Sequence, residues 1–156
     1  MSRIVTVVPL PEEAKEILSA VGPVTGPDDW QDHLSEAAGL ITLVTTRVDA
    51  SLLDRAPALR IVANAGVGYD NVDVAACSAR GVVVTNTPGV LTDATADLAI
   101  ALMLATVRRL TRSEESLRAG EFRGWGFWDY LGGDVTGATV GILGMGRIGQ
   151  AFARRA

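Results

Sequence analysis

Three glycines near the C-terminal end of the sequence are spaced in a way that suits phosphate binding. The segment Gly144-Met145-Gly146-Arg147-Ile148-Gly149 follows an apolar run, residues 138–143, that is predicted to be a strand, and residues 150–155 are predicted to begin a helix. In such a unit the first glycine permits a tight turn, the second lets backbone approach a pyrophosphate, and the third allows close helix–strand packing. The helix N-terminus adds free N–H groups and a positive dipole end. The segment therefore predicts dinucleotide binding, against the alternative of a glycine-rich turn without a ligand.

Two further loops in the first half of the sequence are candidates for ligand binding. Residues 64–71 (Asn-Ala-Gly-Val-Gly-Tyr-Asp-Asn) follow an apolar run, and so do residues 86–92 (Asn-Thr-Pro-Gly-Val-Leu-Thr). Loops at the carboxyl ends of parallel strands are where ligands bind in open α/β sheets. Gly66 and Gly68 suit a loop whose N–H groups converge on an anion, although a plain glycine turn would need the same residues.

The elements that would position these loops alternate along the chain. Strands and helices in alternation imply βαβ units and a mainly parallel sheet. The predicted strands are residues 3–8, 39–45, 59–63 and 82–85. The predicted helices are residues 11–20, 51–56 and 71–79, and Asp73 is placed in the first turn of the last one. Residues 22–27, with two Gly-Pro pairs, are predicted to be a loop.

The second half of the sequence has a different character. One long helix is predicted from Ala94 towards Ala119, capped by Thr92 or Asp93 and ended by Gly120. Its first part, residues 98–104, is apolar on all sides, which predicts burial on more than one side. The stretch that follows, residues 121–137, has Trp125, Phe127, Trp128 and Tyr130 among five glycines and is predicted to be an arm or extended loop.

Composition narrows the classes of function. The chain has 156 residues, a length typical of about one domain, and a formal net charge of −4, which disfavours a general nucleic-acid binder. A single cysteine, Cys77, and a single histidine, His33, argue against a disulfide framework and a Cys- or His-rich metal site. The longest apolar run is too short to span a bilayer, and no targeting segment is evident, so a soluble cytoplasmic protein is expected.

Three stretches of this sequence resemble the D-isomer-specific 2-hydroxyacid dehydrogenases, and within them the glyoxylate/hydroxypyruvate reductases. They are residues 59–73 (LRIVANAGVGYDNVD), 83–98 (VVTNTPGVLTDATADL) and 139–155 (TVGILGMGRIGQAFARR). The resemblance implies an α/β fold: a flavodoxin-like, parallel-sheet substrate domain at residues 1–92, then the opening of a Rossmann NAD(P)-binding domain at residues 93–156. Because members of the family are roughly twice this length, the resemblance also implies a truncated, N-terminal portion.

The resemblance also implies roles for particular residues. The backbone amides of Val67 and Gly68 would hold the carboxylate of a small 2-oxo or 2-hydroxy acid. Thr95 would contact the cofactor near its nicotinamide, or would serve only as a helix-capping residue. Trp125 would enter the substrate pocket of a partner subunit, or would only pack within the arm of a homodimer. Residues 144–149 would bind NAD or NADP.

The catalytic arginine, glutamate and histidine of the family have no counterparts in this sequence. His33 lies in an Asp-rich segment away from any motif and is predicted to be a surface residue, and Cys77 is predicted to be buried in the core. The sequence thus predicts an oxidoreductase that reduces glyoxylate or hydroxypyruvate by hydride transfer, present here without its catalytic residues. The alternatives are a non-catalytic module that binds a small carboxylate or only dimerises, and, with less support, a stand-alone flavodoxin-like binding domain.

Overall fold

Five short parallel strands form the sheet of the first of two compact units. The computed structural model describes residues 2–156; the first unit ends at Pro88 and the second extends from Gly89 to Ala156. The strand order is β2-β1-β3-β4-β5, with β1 at Arg3–Thr6, β2 at Val24–Thr25, β3 at Ala37–Thr42, β4 at Ile61–Asn64 and β5 at Val83–Thr85. This is the strand order of flavodoxin-like sheets, and it confirms the predicted fold of the first part of the chain.

One face of this sheet carries the core of the first unit. Val5, Leu40, Val62 and Val84 are neighbours across four strands. The first three are fully buried, and Val84 is partly buried against the same cluster. Each fully buried side chain of this size stabilises the fold by about 1.5–3 kcal/mol. Cys77 is also fully buried here, as predicted, and burial raises the pKa of its thiol.

Within the described part of the first unit, three α-helices connect the strands, α1 at Glu12–Ser19, α2 at Ala50–Asp54 and α3 at Val74–Ala79, together with a short 3₁₀ helix at Leu34–Glu36. Two of them begin at an aspartate whose carboxylate accepts a backbone N–H: Asp49 from Leu52 at 3.1 Å, and Asp73 from Ala76 at 2.8 Å. Asp73 is therefore the N-cap of its helix, and its predicted place in the first turn is wrong. The cap satisfies an N–H that the first turn leaves without a helical partner.

Strand β2 lies where a loop is predicted. Val24 and Thr25 pair with Ile4 and Val5 of β1 at the edge of the sheet. Two residues are too few to show an alternating pattern, and the prolines on either side of them are tolerated because an edge strand leaves N–H positions without ladder partners. The prediction of a plain loop at residues 22–27 is therefore wrong.

The second unit contains three helices: α4 at Thr92–Val107, α5 at Leu110–Arg118 and α6 at Arg147–Ala153. The prediction of one continuous helix is wrong, because Arg109 takes a left-handed conformation (φ 54°) that ends α4 and begins α5. The predicted cap is also wrong: Leu91 is the N-cap of α4 and makes no side-chain hydrogen bond there. No helix within residues 2–156 is long and apolar enough to cross a membrane.

The apolar part of α4 is largely exposed. Leu98 and Leu102 are each 58% exposed and Leu104 is 38% exposed, whereas Ala96 is buried. The predicted burial on more than one side is therefore wrong for the described chain. Helix α4 packs against α6, and an apolar helix needs further neighbours to cover its remaining sides.

Residues 138–143 form no strand in the structure. Within residues 2–156 no segment pairs with them, and Leu143 is fully exposed. The prediction of a strand here is wrong for the described chain, because a strand exists through ladder hydrogen bonds to a neighbour. The β-branched and apolar residues indicate a preference for extended backbone, but a strand also needs a neighbouring strand to pair with.

Candidate functional site

The loop that follows β4 is held by two asparagine side chains. Asn64, the last residue of β4, is buried and donates from Nδ2 to the carbonyl oxygen of Gly68 at 2.7 Å. Asn71 approaches three oxygens through its own Nδ2: the carbonyls of Leu43 at 3.2 Å and Thr46 at 2.9 Å, and Asn64 Oδ1 at 3.2 Å. Together they fix both ends of the loop to the carboxyl edge of β3 and β4.

The segment that follows β5 binds the same loop from its other side. The backbone N–H of Thr87 donates to the carbonyl oxygen of Gly66 at 3.0 Å, and Asn86 Nδ2 donates to the carbonyl oxygen of Val67 at 2.9 Å. A Cβ atom at Gly66 would lie 2.9 Å from Val44 Cγ1, so the backbone approaches its neighbour closely here. The two predicted ligand-binding loops therefore lie side by side at one edge of the sheet.

The N–H groups of Val67 and Gly68 begin a run of unpaired backbone amides in this loop. Among residues 2–156 no acceptor pairs with the N–H groups of residues 67–71, and Val67 and Gly68 are both exposed. Neighbouring unpaired N–H groups on a glycine-rich loop are the donors from which backbone anion sites are built. A carboxylate bound to both would receive two backbone hydrogen bonds with no positively charged side chain involved.

The glycine-rich segment of the second unit has the backbone that its sequence requires. Gly144 has a φ of +98°, a region that favours glycine. A Cβ atom at Gly149 would lie 2.1 Å from the carbonyl oxygen of Gly144, so only glycine fits there, whereas at Gly146 it would meet open space. The N–H groups of the first turn of α6, at Arg147, Ile148 and Gly149, have no acceptors among residues 2–156.

An ion-pair cluster attaches the end of α6 to the start of α4. Arg155 donates from Nε to Asp97 at 2.5 Å and from Nη2 to Asp93 at 2.9 Å. These hydrogen bonds raise the pKa of the already basic guanidinium. The cluster fixes the direction in which α6 presents its N-terminus. Thr95 lies between the two aspartates in the sequence, in the first turn of α4, and is exposed.

The arm predicted at residues 121–137 contains no helix or strand and exposes its aromatic side chains. Trp125 is 87% exposed and contacts Phe127 edge to face, with ring centroids 6.4 Å apart; Phe127 contacts Trp128 in the same way. An open groove of about 840 Å³ lies between α5 and residues 121–131 of the arm.

His33 and the metal-ligating residue types form no further site within residues 2–156. His33 is partly exposed, with Nε2 3.7 Å from Asp29 Oδ2. Among residues 2–156 there is no group of three His, Cys, Asp or Glu residues close enough to hold a metal ion.

A family comparison decides what these features belong to. Residues 4–151 match the model of the catalytic domain of the D-isomer-specific 2-hydroxyacid dehydrogenases. The chain belongs to this family. The match covers both loops of the first unit and the glycine-rich segment of the second. It confirms the resemblance carried by the three sequence stretches.

Curated relatives of this dehydrogenase chain are named glyoxylate reductases. The enzyme of Thermococcus litoralis is 51% identical over 129 residues, which are 80% of this chain and 39% of that protein. The enzyme of Aeropyrum pernix is 45% identical over 153 residues, which are 90% of this chain and 46% of that protein. The chain therefore spans less than half the length of the curated relatives that it matches.

This chain likewise covers about half the length of the solved structures that it resembles. The TT0316 protein of Thermus thermophilus is 41% identical with a TM-score of 0.91, over 98% of this chain and 52% of that one. An NADPH-dependent glyoxylate/hydroxypyruvate reductase of Sinorhizobium meliloti, solved with NADP and malonate, is 37% identical with a TM-score of 0.78, over 99% of this chain and 49% of that one.

Sequence reasoning about this dehydrogenase chain missed the asparagines that hold the loop. Asn64, Asn71 and Asn86 each donate a side-chain hydrogen bond to a carbonyl oxygen of the loop or of its supports. A signal was present, because all three border the two predicted loops. Asparagine is also common in turns for local reasons, so the residue type alone does not predict these longer-range bonds.

Proposed function

We propose that the chain is the N-terminal portion of an NAD(P)-dependent 2-hydroxyacid dehydrogenase that reduces glyoxylate or hydroxypyruvate. It comprises the substrate domain and the first part of the NAD(P)-binding domain, without the catalytic residues. The observation that carries the proposal is the pair of unpaired N–H groups at Val67 and Gly68, on a loop fixed from both sides. Family membership and the names of the curated relatives support the reaction class. The proposed substrate domain ends after residue 92, and the cofactor domain begins at residue 93.

In this proposal the chain binds the carboxylate end of the substrate. The two amides donate to the carboxylate oxygens, which is the kind of fixed dipole that stabilises an anion without an ionised partner. Holding that end orients C2, the carbon that takes the hydride. The bound nicotinamide supplies the hydride chemistry, and the protein supplies position and charge stabilisation.

The glycine-rich segment fits a dinucleotide in its backbone. The positive φ of Gly144, the close approach of Gly149 to Gly144 and the open space at Gly146 satisfy the three glycine roles of the fingerprint. The pyrophosphate would be held by N–H groups of Gly146, Arg147 and Ile148, with Met145 and Gly149 completing the turn. Thr95, in the first turn of α4, is proposed to contact the cofactor near its nicotinamide. NAD and NADP both remain in the proposal, since the fingerprint position that reads the ribose falls about 20 residues after the glycines, outside residues 1–156.

The second candidate function is a non-catalytic module that binds a small carboxylate or only dimerises. Exposure of the α4 leucines and of the arm aromatics favours self-association. Trp125 would then either pack within the dimer arm or reach the substrate pocket of the partner subunit. The DNA sequence that follows the codon for Ala156 separates the two functions, since only the first requires the family's catalytic arginine, glutamate and histidine to be encoded there.

A carboxylate titration tests the binding claim that both functions share. A ¹⁵N-labelled chain is titrated, without cofactor, with sodium glycolate, the 2-hydroxy acid that reduction of glyoxylate gives. We expect the Val67 and Gly68 resonances to shift and saturate. A chain that only dimerises would leave them unmoved.

A further inference from the structure

The two hydrogen bonds from the segment after β5 are accepted by the carbonyls that immediately precede the proposed carboxylate-binding amides. Thr87 N–H donates to the carbonyl of Gly66, which shares a peptide unit with the N–H of Val67. Asn86 Nδ2 donates to the carbonyl of Val67, which shares a peptide unit with the N–H of Gly68.

The two hydrogen bonds to the Gly66 and Val67 carbonyls also set the directions of the Val67 and Gly68 N–H groups. Both peptide bonds are trans, and in a planar trans unit the C=O and N–H groups point in opposite directions. A donor that fixes the carbonyl therefore also fixes the direction of the N–H. Residues 86 and 87 hold both carbonyls on one side of the loop, so both N–H groups face the opposite side together.

The two bonds differ in how they depend on sequence. The Thr87 donor is backbone, so any residue except proline supplies it. The Asn86 donor is a side-chain amide, so it is lost when the residue changes. The peptide it holds ends at Gly68, whose lack of a Cβ atom gives that unit more freedom to rotate than any other residue would. Asn64 holds the next carbonyl, at Gly68 itself, and so fixes the following peptide unit and not this one.

We infer that Asn86 is a positioning residue for substrate: its side-chain amide fixes the Val67 carbonyl and thereby aims the Gly68 N–H at the carboxylate. This inference rests on the proposed carboxylate site. Asn86 is half-buried and lies outside the hydrophobic core, so its replacement leaves the core cluster intact.

Three ¹⁵N-labelled forms of the full chain test the inference: wild type, Asn86→Ala and the matched control Thr87→Ala, which keeps its backbone donor. Without ligand, the order parameter of the Gly68 amide is expected to fall from about 0.85 to below about 0.6 in Asn86→Ala only. With sodium glycolate, the Kd read at Gly68 is expected to rise about fivefold in Asn86→Ala, the effect of one hydrogen bond, and to stay unchanged in Thr87→Ala. Dispersed core resonances in all three forms show that each is folded.

The outcomes separate the two claims. If glycolate binds wild type and Asn86→Ala equally, or if the Gly68 order parameter does not change, the positioning role is refuted while the carboxylate site stands. If glycolate moves neither resonance in wild type, the carboxylate site is refuted and the positioning role is refuted with it. A fall in affinity for Thr87→Ala equal to that of Asn86→Ala would show a general disturbance of the segment and would overturn the specific role of Asn86.

Discussion

Leu104→Asp is expected to convert a self-associating chain into a monomer. Leu98, Leu102 and Leu104 leave much of their side-chain surface in water on α4. Leu98 and Leu102 lie one turn apart on one side of α4 and Leu104 lies on another side, so an interaction surface that covers all three must wrap around the helix. A two-fold dimer would use the same helix surface on both chains, so that each substitution acts twice.

The size of the effect follows from the exposed fractions. Full burial of a leucine is worth about 1.5–3 kcal/mol, so covering the exposed parts of these three residues on both chains gives roughly 5–9 kcal/mol before the costs of association. Leu104, 38% exposed, accounts for about 1–2 kcal/mol of this in the dimer. Its loss alone raises the dimer Kd about tenfold, and the cost of burying an unpaired carboxylate adds to that.

Light scattering across a concentration series measures the effect. The chain mass is 16.3 kDa, so a dimer appears at twice that value. Ile17→Asp is the matched control, because Ile17 is a similarly exposed apolar residue on α1 of the first unit (73% exposed). A wild-type chain that stays monomeric at all concentrations, or a Leu104→Asp chain that associates as wild type does, would refute the reasoning.

Four further predictions concern activity, cofactor affinity, the thiol and the glycine-rich turn. The purified chain is expected to show glyoxylate-dependent NAD(P)H oxidation below about 1 s⁻¹, because His33 has no catalytic surroundings; faster turnover would contradict the absence of an acid–base pair. Titration calorimetry should give a Kd for NADH or NADPH no better than about 1 mM, and a micromolar value would show that the adenosine pocket is complete. Because burial raises the pKa of Cys77, its thiol is protonated at pH 7–8 and should react with iodoacetamide only on unfolding; equally fast labelling of native and unfolded chain would refute this. Gly149→Ala should destabilise the second unit by about 1–3 kcal/mol in thermal unfolding, whereas Gly146→Ala, whose Cβ meets open space, should change it little.

The fold of the first unit was predictable because each of its main strands has its own sequence signal. The runs around Val5, Leu40 and Val62 are β-branched and apolar, and their alternation with helices implies a parallel sheet. Strand β2 was not predicted, because its two residues are defined by their pairing with β1 and not by a sequence pattern of their own.

The second unit was less predictable, since its elements depend on neighbours that a local pattern does not contain. Residues 138–143 have strand-forming composition, but within residues 2–156 they have no pairing partner. The break between α4 and α5 depends on the left-handed backbone conformation of Arg109. Arginine rarely adopts this conformation, so the residue type does not predict it.

The candidate site was predictable in position but not in construction. The glycines at 66 and 68 and their place after a strand indicate an anion-binding loop. Several of the bonds that orient the loop join residues 19 or more positions apart, such as Asn86 with Val67 and Asn71 with Thr46. Such pairs follow from the strand order β3-β4-β5, which brings the ends of these strands together.

The central claim is that the Val67 and Gly68 amides bind a carboxylate, and a ¹⁵N–¹H titration of the wild-type chain with sodium glycolate tests it most directly. Hydrogen bonds to a carboxylate move amide proton resonances, so the account predicts that these two amides shift furthest and saturate together. Shifts concentrated instead at the arginines of the groove beside α5, such as Arg109 and Arg112, or no saturable shift at Val67 and Gly68, would contradict it.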